Sequence, residues 1–337
     1  SCAEDCSSSR PTRWAICSAG KISHDFVVAL RTLPADEHEV VAVAARDKER
    51  AQEFATRHGI ARAYGSYEEL AADPDMDVVY VGAIHPQHSP LTLMMLRAGK
   101  HVMCEKPLTM TLAQTKELTA TARSTRRFLM EAFWSRFFPA YDEVRAALAE
   151  GQVGDVQVVR TEFGVRMLNV RRVVEPELGG GALLDIGCYC LQFISMAFGA
   201  ERPLSIHASG FLNANGVDET VTVVLKYSRK RMGIFTCSSA YKLANEACIF
   251  GTKGSIKIPD TMWSPSKVII NGEEKEFVLP PPSIPLNFIT STGMRYEAAE
   301  VRRCLLQGLT ESRVMPLEES ELLAGIMDEI LQQLAAV

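Results

Sequence analysis

The feature that most constrains the fold is a regular alternation in the first part of the chain. Short runs rich in apolar and β-branched residues at 14–17, 40–45, 78–82 and 101–104 alternate with amphipathic stretches at 26–33, 48–58, 91–98 and 112–122. This order is typical of β-α-β units, whose right-handed crossovers give a parallel sheet with helices on both faces. The sequence therefore predicts a doubly wound α/β domain of the Rossmann type over residues 13–130.

After Gly154 the pattern changes to short alternating strands, interrupted by one apolar helix predicted over 183–197. A proline-rich segment at 280–285 is expected to form a rigid loop, followed by helices at 296–306 and 318–334. The pattern favours an α+β domain over 131–337 with a large, mostly antiparallel sheet. Its predicted strands cover 156–163, 205–210, 220–227, 232–238, 247–250, 255–258, 267–270 and 276–279.

Length and charge agree with two domains that act on a small molecule. A chain of 337 residues exceeds what one hydrophobic core usually supports. The net charge of -5 offers no basic surface for nucleic acid or for an anionic membrane. We find no apolar run of the length that spans a bilayer, and residues 1–12 lack the apolar core of a signal peptide, so we interpret them as a disordered tail.

The nine cysteines indicate a reducing compartment. Their number is odd and their spacings suggest no disulfide framework, which is typical of free thiols in a cytoplasmic protein. The sequence has no C-x-x-C pair from which a zinc site would start, so no metal is expected.

The turn after the first strand is a candidate phosphate-binding loop. It stands where a G-x-G-x-x-G loop would stand but keeps only the central glycine, Gly20. Its small and polar residues would let a pyrophosphate approach the helix N-terminus, and the candidate cofactor contacts are Ser18, Gly20, Lys21 and Ile22. An ordinary strand-to-helix turn remains the alternative at this point.

The end of the second strand indicates which dinucleotide is bound. Arg46 occupies the position where an NAD-binding protein usually has Asp or Glu, and Arg50 follows one helical turn later. Two guanidinium groups suit a 2′-phosphate, which predicts NADP. The alternatives are that both arginines are only solvated, and that Asp47 reads the ribose instead of capping the next helix.

Three spaced motifs carry a resemblance to a known family. They are Ile84–His88 after the fourth strand, Glu105-Lys106-Pro107 after the fifth, and the glycine-rich stretch 179–187 before the apolar helix. With these motifs the chain resembles the Gfo/Idh/MocA family of sugar and diol oxidoreductases over residues 13–337. Segments 131–139 and 187–193 are most similar to those of dimeric members that oxidise trans-dihydrodiols and D-xylose with NADP.

The resemblance implies a catalytic set of Lys106, Asp185 and Tyr189. Many members have histidine where this chain has Tyr189. A phenol beside an ammonium group is favoured in its ionised form, so Tyr189 would accept the hydroxyl proton while Lys106 orients the substrate. An assignment with Lys106 as the base and Tyr189 as the orienting group fits almost as well, and a buried core tyrosine with its hydroxyl hydrogen-bonded within the protein is the remaining alternative.

The remaining candidates line the cofactor and the substrate. Glu105, His85 and His88 are expected near the nicotinamide, although both histidines equally suit a helix start. An aromatic wall with one arginine is expected around the substrate, with core packing and an internal ion pair of Arg136 as the alternatives. The candidates are Trp134, Arg136, Phe163, Trp263 and Phe288.

Together these observations predict an NADP-dependent dehydrogenase of trans-dihydrodiols or D-xylose-type sugars. The alternative is a non-catalytic NADP-binding regulator of the same fold, and a reductase of imines or tetrapyrroles in a related fold is a third possibility. The broad sheet of the second domain would leave one face open, so a homodimer through that face is expected.

Overall fold

The computed structural model describes residues 10–336, which divide into two compact units. The first unit contains the chain up to Leu108, Ala113–Trp134 and Leu279–Leu317. The second unit contains Thr109–Leu112, Ser135–Val278 and the chain from Glu318. Residues 279–317 thus belong to the first unit, whereas the sequence analysis placed everything after residue 130 in one domain.

The first unit is a six-stranded parallel sheet with strand order β3-β2-β1-β4-β5-β6. This is the Rossmann order: β2 and β3 are added on one side of β1, and β4, β5 and β6 on the other side. The expected doubly wound fold is confirmed. Its elements are β1 (Thr12–Cys17), α1 (Lys21–Leu30), β2 (His38–Ala44), α2 (Lys48–His58), β3 (Arg62–Tyr64), α3 (Tyr67–Ala72), β4 (Val78–Val81), α4 (His85–Arg97), β5 (His101–Glu105), α5 (Leu112–Thr125) and β6 (Leu129–Ala132).

Helix α9 (Arg295–Leu306) completes this unit, together with the 3₁₀ turn Ser291–Met294 that leads into it. The reason is a buried carboxylate, Asp25 on α1, which the sequence pattern did not reveal. Asp25 accepts hydrogen bonds from the backbone amides of Asn287 and Phe288, each at 2.8 Å, and from the Ser291 hydroxyl at 2.6 Å. Because a buried carboxylate needs donors, this contact ties the late segment to α1.

The second unit is built on an eight-stranded sheet with order β14-β13-β12-β11-β7-β10-β9-β8. All neighbours are antiparallel except β7 and β10, which confirms the mostly antiparallel sheet. Its elements are α6 (Pro139–Ala149), β7 (Val156–Gly164), α7 (Arg171–Val174), α8 (Cys188–Ala197), β8 (Ser205–Leu212), β9 (Asp218–Tyr227), β10 (Arg231–Ser238), β11 (Ala247–Gly251), β12 (Ser255–Ile258), β13 (Lys267–Ile270), β14 (Glu273–Glu276) and α10 (Leu317–Ala335).

The last strand lies earlier than the sequence analysis placed it. Asn271 and Gly272 both have positive φ, at 50° and 84°, and form the tight turn between β13 and β14. An Asn-Gly pair is a strong signal for a two-residue hairpin. The strand therefore resumes at Glu273, and the predicted strand at 276–279 was wrong.

One edge of the larger sheet is covered by the C-terminal helix. Gln333 on α10 accepts from the Ala208 amide and donates to the Ile206 carbonyl of β8, both at 2.7 Å. The side chain thereby imitates a neighbouring strand at an edge that would otherwise present unpaired backbone groups.

One stretch of the described chain, Pro176–Ala197, is long and apolar enough to cross a membrane by length and composition. In the structure 78% of this stretch is buried, and α8 packs against the sheet of the second unit. Such burial is typical of a core helix.

The predicted tail at 1–12 falls mostly outside the described residues, which begin at residue 10. Residues 10–12 are part of the fold: the Arg10 guanidinium lies 3.3 Å from the Asp77 carboxylate, and Thr12 begins β1.

A buried acidic cluster lies at the carboxyl end of β5. The Tyr80 hydroxyl donates to Glu105 at 2.6 Å, and Glu297 on α9 is fully buried without a hydrogen-bond partner for either carboxyl oxygen in the described structure. Burial, and next the charge of Glu105, raise the pKa of Glu297 well above its ordinary value. Burial also raises the pKa of Glu105, while the hydroxyl of Tyr80 and the charge of Lys106 lower it. We therefore assign the proton to Glu297 and the negative charge to Glu105.

We predict that Glu297→Gln stabilises the protein increasingly as pH rises. A carboxyl whose pKa is raised on folding contributes stability below its unfolded value near ~4.3 and loses it as pH rises towards the folded value. The amide of the variant does not titrate, so the difference in unfolding free energy should grow by up to about 1.4 kcal/mol per pH unit within that window.

The measurement is urea unfolding of both proteins from pH 5 to pH 8. The control is Glu53→Gln, which makes the same substitution on the exposed side of α2. A difference between parent and Glu297→Gln that does not vary with pH would contradict a neutral Glu297.

Candidate active site

The loop after β1 has the form of a phosphate cradle. Ser18 adopts a left-handed backbone with φ of 82°, and its amide donates to the Ala44 carbonyl at 3.0 Å. Gly20 is the N-cap of α1, and a methyl group at this position would meet no atom within 4 Å. The Ser23 hydroxyl is buried without a partner in the described structure. Open space at a helix N-terminus suits a pyrophosphate.

The end of β2 presents the two arginines expected to read a 2′-phosphate. The Asp47 carboxylate accepts from the Arg50 amide at 2.8 Å and so caps α2, as one of the two interpretations of the sequence expected. Arg46 and Arg50 are exposed, and within residues 10–336 neither forms an ion pair with an acidic side chain. Both guanidinium groups remain available to an anion.

Tyr67, which sequence reasoning missed, lies beside these groups. Burial raises the pKa of Tyr67, while a hydrogen bond with Ser18 and the charges of Arg46 and Arg50 lower it. Tyr67 is therefore close enough to the phosphate loop and the two arginines to interact with both. No residue pattern marks Tyr67 in the sequence, because it follows only an ordinary helix cap, Ser66.

The Glu-Lys-Pro motif lies where the parallel sheet opens. Glu105 ends β5, and Lys106 follows at the carboxyl edge of the strands, where ligands of such sheets bind. His88 is buried and holds this loop, since its ring nitrogens lie 2.6 Å from the Pro107 carbonyl and 2.8 Å from the Ala83 carbonyl. Burial lowers the pKa of His88. The geometry thus gives His88 a role in fixing the Lys106 loop.

In the second unit, Asp185 lies on a π-helical turn that runs from Leu183 to Gly187 and continues into α8. Turns of this kind are frequent at functional sites. The sequence analysis assumed a regular helix from residue 183, and the structure replaces its first turn by this wider one. The Asp185 carboxylate lies 2.9 Å from the guanidinium of Arg172 on α7.

Tyr189, on the first turn of α8, is packed among aromatic rings. Its ring centroid lies 5.6 Å from that of Phe163, which in turn stacks on Trp263 at 3.7 Å with an interplanar angle of 11°. The Tyr189 side chain is 7% exposed. An apolar wall of this kind lowers the local dielectric constant, so that hydrogen bonds and charges near the phenol interact more strongly than they would in water.

Arg136 is engaged within the second unit. It donates to the Gln192 side chain at 2.7 Å and to the Gln192 carbonyl at 2.8 Å, and it pairs with Glu319 at 2.6 Å while only 2% exposed. The structure thus contradicts its assignment to the substrate and supports the internal ion pair left open by the sequence.

The other candidates are dispersed. Trp134 is half-buried at the start of a 3₁₀ turn, and Phe288 is 44% exposed on the segment that Asp25 anchors. His85 begins α4, with Pro86 in the first turn as expected, and its ring lies 5.5 Å from that of His88.

Comparison with known proteins connects both units to one family. A family model described as the oxidoreductase family with an NAD-binding Rossmann fold matches residues 12–133, and the GFO/IDH/MocA C-terminal domain matches residues 141–257. The first unit is therefore a nicotinamide-dinucleotide-binding domain.

Curated relatives extend over nearly the whole chain. The trans-1,2-dihydrobenzene-1,2-diol dehydrogenase of Xenopus tropicalis is 59% identical and covers 96% of this chain and 98% of its own. The human protein of the same name is 51% identical and covers 94% of this chain and 95% of its own.

Solved structures agree with the fold. A 3-ketoreductase from Actinomadura kijaniata, in complex with NADP and TDP-benzene, has a TM-score of 0.80 at 26% identity and covers 96% of this chain and 98% of its own. An aldose-aldose oxidoreductase from Caulobacter crescentus has a TM-score of 0.82 at 22% identity and covers 96% of this chain and 97% of its own. By its two domains and its relatives, this chain belongs to the Gfo/Idh/MocA family of oxidoreductases.

Proposed function

We propose that this protein is an NADP-dependent dehydrogenase that oxidises trans-dihydrodiols of aromatic hydrocarbons and, by its resemblance to dimeric family members, D-xylose-type sugars. The observation that carries the proposal is the identity of 51–59%, over at least 94% of the chain, to relatives named trans-1,2-dihydrobenzene-1,2-diol dehydrogenase. A turnover screen of dihydrodiols, pentoses and hexoses with NADP+, followed by NADPH fluorescence, tests both the reaction and the substrate class. A purified protein that binds NADP+ and turns over none of these substrates would favour the non-catalytic regulator.

Cofactor choice rests on the end of β2. Asp47 is engaged as a helix cap through one carboxyl oxygen, while the exposed Arg46 and Arg50 present two charge-assisted donors that favour a 2′-phosphate. The phosphate loop at Ser18–Gly20, with the amides of Lys21 and Ile22, would hold the pyrophosphate.

Arg46→Asp should weaken NADP+ binding by about 10- to 150-fold, since a charge-assisted contact contributes about 1.5–3 kcal/mol. NAD+ should bind equally well or better. The measurement is a fluorescence titration with NADPH and with NADH. Arg57→Asp, at the exposed far end of α2, is the control and should change neither affinity; unchanged NADPH binding in Arg46→Asp would remove Arg46 from the site.

For the chemistry we propose Tyr189 as the proton acceptor and Lys106 as the group that orients the reacting hydroxyl. The nicotinamide, when bound, supplies the acceptor for the hydride. The substrate carbon loses a hydride and its hydroxyl loses a proton to Tyr189, which leaves a carbonyl product. Glu105, as the charged partner of neutral Glu297, keeps a negative charge beside the Lys106 ammonium. Lys106 as the base, with Tyr189 orienting the substrate, is the alternative assignment.

Tyr189→Phe should lower kcat by about 10²–10⁴-fold while NADPH affinity stays near its parental value, because general acid–base groups contribute about that factor and the packed ring is kept. Lys106→Met should be comparably damaging, and the double variant little worse than either, since groups that act as a unit are not additive. Steady-state kinetics of the three variants provide the test, with Tyr241→Phe on a 63% exposed side chain as the control.

The outcomes distinguish the two assignments. Parental kcat in Tyr189→Phe would leave Lys106 as the base, and Tyr189→His, which restores the residue common in the family, should recover part of the lost rate. Parental kcat in Lys106→Met would overturn the proposed chemistry.

We also propose that two copies associate through the outer face of the eight-stranded sheet. The inner face is covered by α8, whose Ile194 side chain lies so close to Gly233 that a methyl group there would approach it to 2.5 Å. The outer face carries half-exposed apolar side chains in register on neighbouring strands, which favours an isologous interface between copies. These residues are Val158, Val224, Met232, Ile234 and Phe250.

Ile234→Glu should convert a dimer into single chains, because the interface would have to bury an unpaired charge. Light scattering measures the mass, and melting temperature checks that the variant is folded. Ile289→Glu, on a side chain 79% exposed in the first unit, should leave the mass unchanged. A monomeric parent protein, or a dimeric Ile234→Glu, would contradict this interface.

A reducing compartment such as the cytoplasm fits the cysteines. All seven cysteines in the described residues are buried, and none of them forms a disulfide.

A further inference from the structure

Arg172 is a charged residue of the second unit that lies outside the proposed catalytic set. Its guanidinium lies 2.9 Å from the carboxylate of Asp185. The Asp185 side chain is only 9% exposed, whereas that of Arg172 is 38% exposed. One end of the pair is therefore buried in the protein and the other reaches the surface.

The glycine run at 179–181 explains why these two side chains meet. The amides of Gly180 and Gly181 donate to the Glu175 carbonyl at 3.0 Å and to the Val173 carbonyl at 2.8 Å. A methyl group at Gly180 would lie 2.6 Å from the Val173 carbonyl oxygen, so a larger residue would push the two segments apart. Only glycine lets the α7 segment lie against the π turn, and the Arg172–Asp185 pair depends on that approach.

Gly181 is also required for the close approach of these segments. Its φ of 125° lies in the region that favours glycine, and a methyl group there would lie 2.3 Å from a carboxyl oxygen of Asp218. Asp218 in turn accepts from the Leu183 amide at 2.7 Å and fixes the first residue of the π turn. The backbone that leads into Asp185 is thus held in one position.

Arg171, the preceding residue, shows how an ordinary surface arginine behaves here. It pairs with Glu175 one helical turn away at 2.8 Å, and its side chain is 78% exposed. Such a pair contributes little and is screened by salt. Arg172 departs from this behaviour because its partner is a buried carboxylate, four residues before the proposed proton acceptor in the chain.

A buried carboxylate joined to a half-exposed guanidinium offers an acceptor and several donors side by side. A hydroxyl group is both donor and acceptor, so a single substrate hydroxyl can satisfy both members of such a pair. Arginine has five N–H groups, and the bond to Asp185 leaves others for a ligand. A ligand without that hydroxyl would leave desolvated charges unsatisfied, which costs more than a missing apolar contact.

We propose that Arg172, together with Asp185, binds the hydroxyl group adjacent to the one that is oxidised, and that Arg172 thereby selects vicinal diols over simple secondary alcohols. This inference rests on the proposed dehydrogenase activity. It assigns a specificity-determining residue and leaves the proton acceptor unchanged.

The experiment compares trans-cyclohexane-1,2-diol with cyclohexanol as substrates of the parent protein and of Arg172→Met. The parent should prefer the diol in kcat/KM. Arg172→Met should lose about 10- to 100-fold in kcat/KM for the diol, mainly through KM, and little for cyclohexanol. Arg172→Lys should recover part of the preference, because an ammonium can still donate to a hydroxyl.

Two comparisons separate this role from a structural one. Arg171→Met, which removes the neighbouring exposed arginine, should keep the parental ratio between the two substrates. In the background of Asp185→Asn, Arg172→Met should cause a much smaller further loss, because the two residues act on one hydroxyl. NADPH affinity and melting temperature show that each variant is folded.

The proposal is overturned by an Arg172→Met variant that keeps the parental ratio of diol to monohydric alcohol, or by a folded variant that loses both substrates equally. A parent protein that turns over both substrates without preference overturns it as well, while its dehydrogenase activity stands. A parent protein with no NADP-dependent turnover of any diol or sugar would reject the proposed function and this inference together.

Discussion

The parallel direction of the six strands in the first unit is the constraint from which its binding features follow. Each right-handed crossover returns the chain to the same end of the sheet, so the loops after β1, β2, β4 and β5 open at one edge. Gly20, Arg46, His85 and Lys106 follow those strands. The order of the strands therefore brings the candidate phosphate loop, two arginines and the Glu-Lys-Pro lysine to one edge of a single sheet.

The second unit uses a different device, close approach of backbone segments at glycine. The glycine run before the π turn lets α7 and the turn meet, and the hydrogen bonds of Asp218 hold the turn in place. Asp185 and Tyr189 are consequently carried by a buried segment of the core, and Tyr189 packs against Phe163 of the stacked aromatic pair. Residues that must act on a substrate are best held by segments that cannot relax.

Local sequence patterns were sufficient to predict the structure where a single residue or a short run decides the backbone conformation. Asp47 was considered as a helix cap and is one, Pro86 lies in the first turn of α4, and the alternating runs predicted both sheets. The Asn-Gly pair at Asn271 is an equally local signal for a hairpin. The sequence analysis did not use it and therefore placed the last strand too late in the chain. Partners distant in sequence could not be read in this way. The choice of Glu319 for Arg136, and of Arg172 for Asp185, depends on packing between segments that no periodicity connects.

The bonds of Asp25 also bear on how the chain is assembled during synthesis. Helix α1 leaves the ribosome well before its partners, because the amide and hydroxyl groups that satisfy its buried carboxylate lie 262–266 positions later in the chain. The whole eight-stranded sheet is translated before those donors exist. The nucleotide-binding unit consequently cannot reach its final hydrogen bonding as a nascent N-terminal domain, and its completion has to wait for a segment made after most of its neighbour.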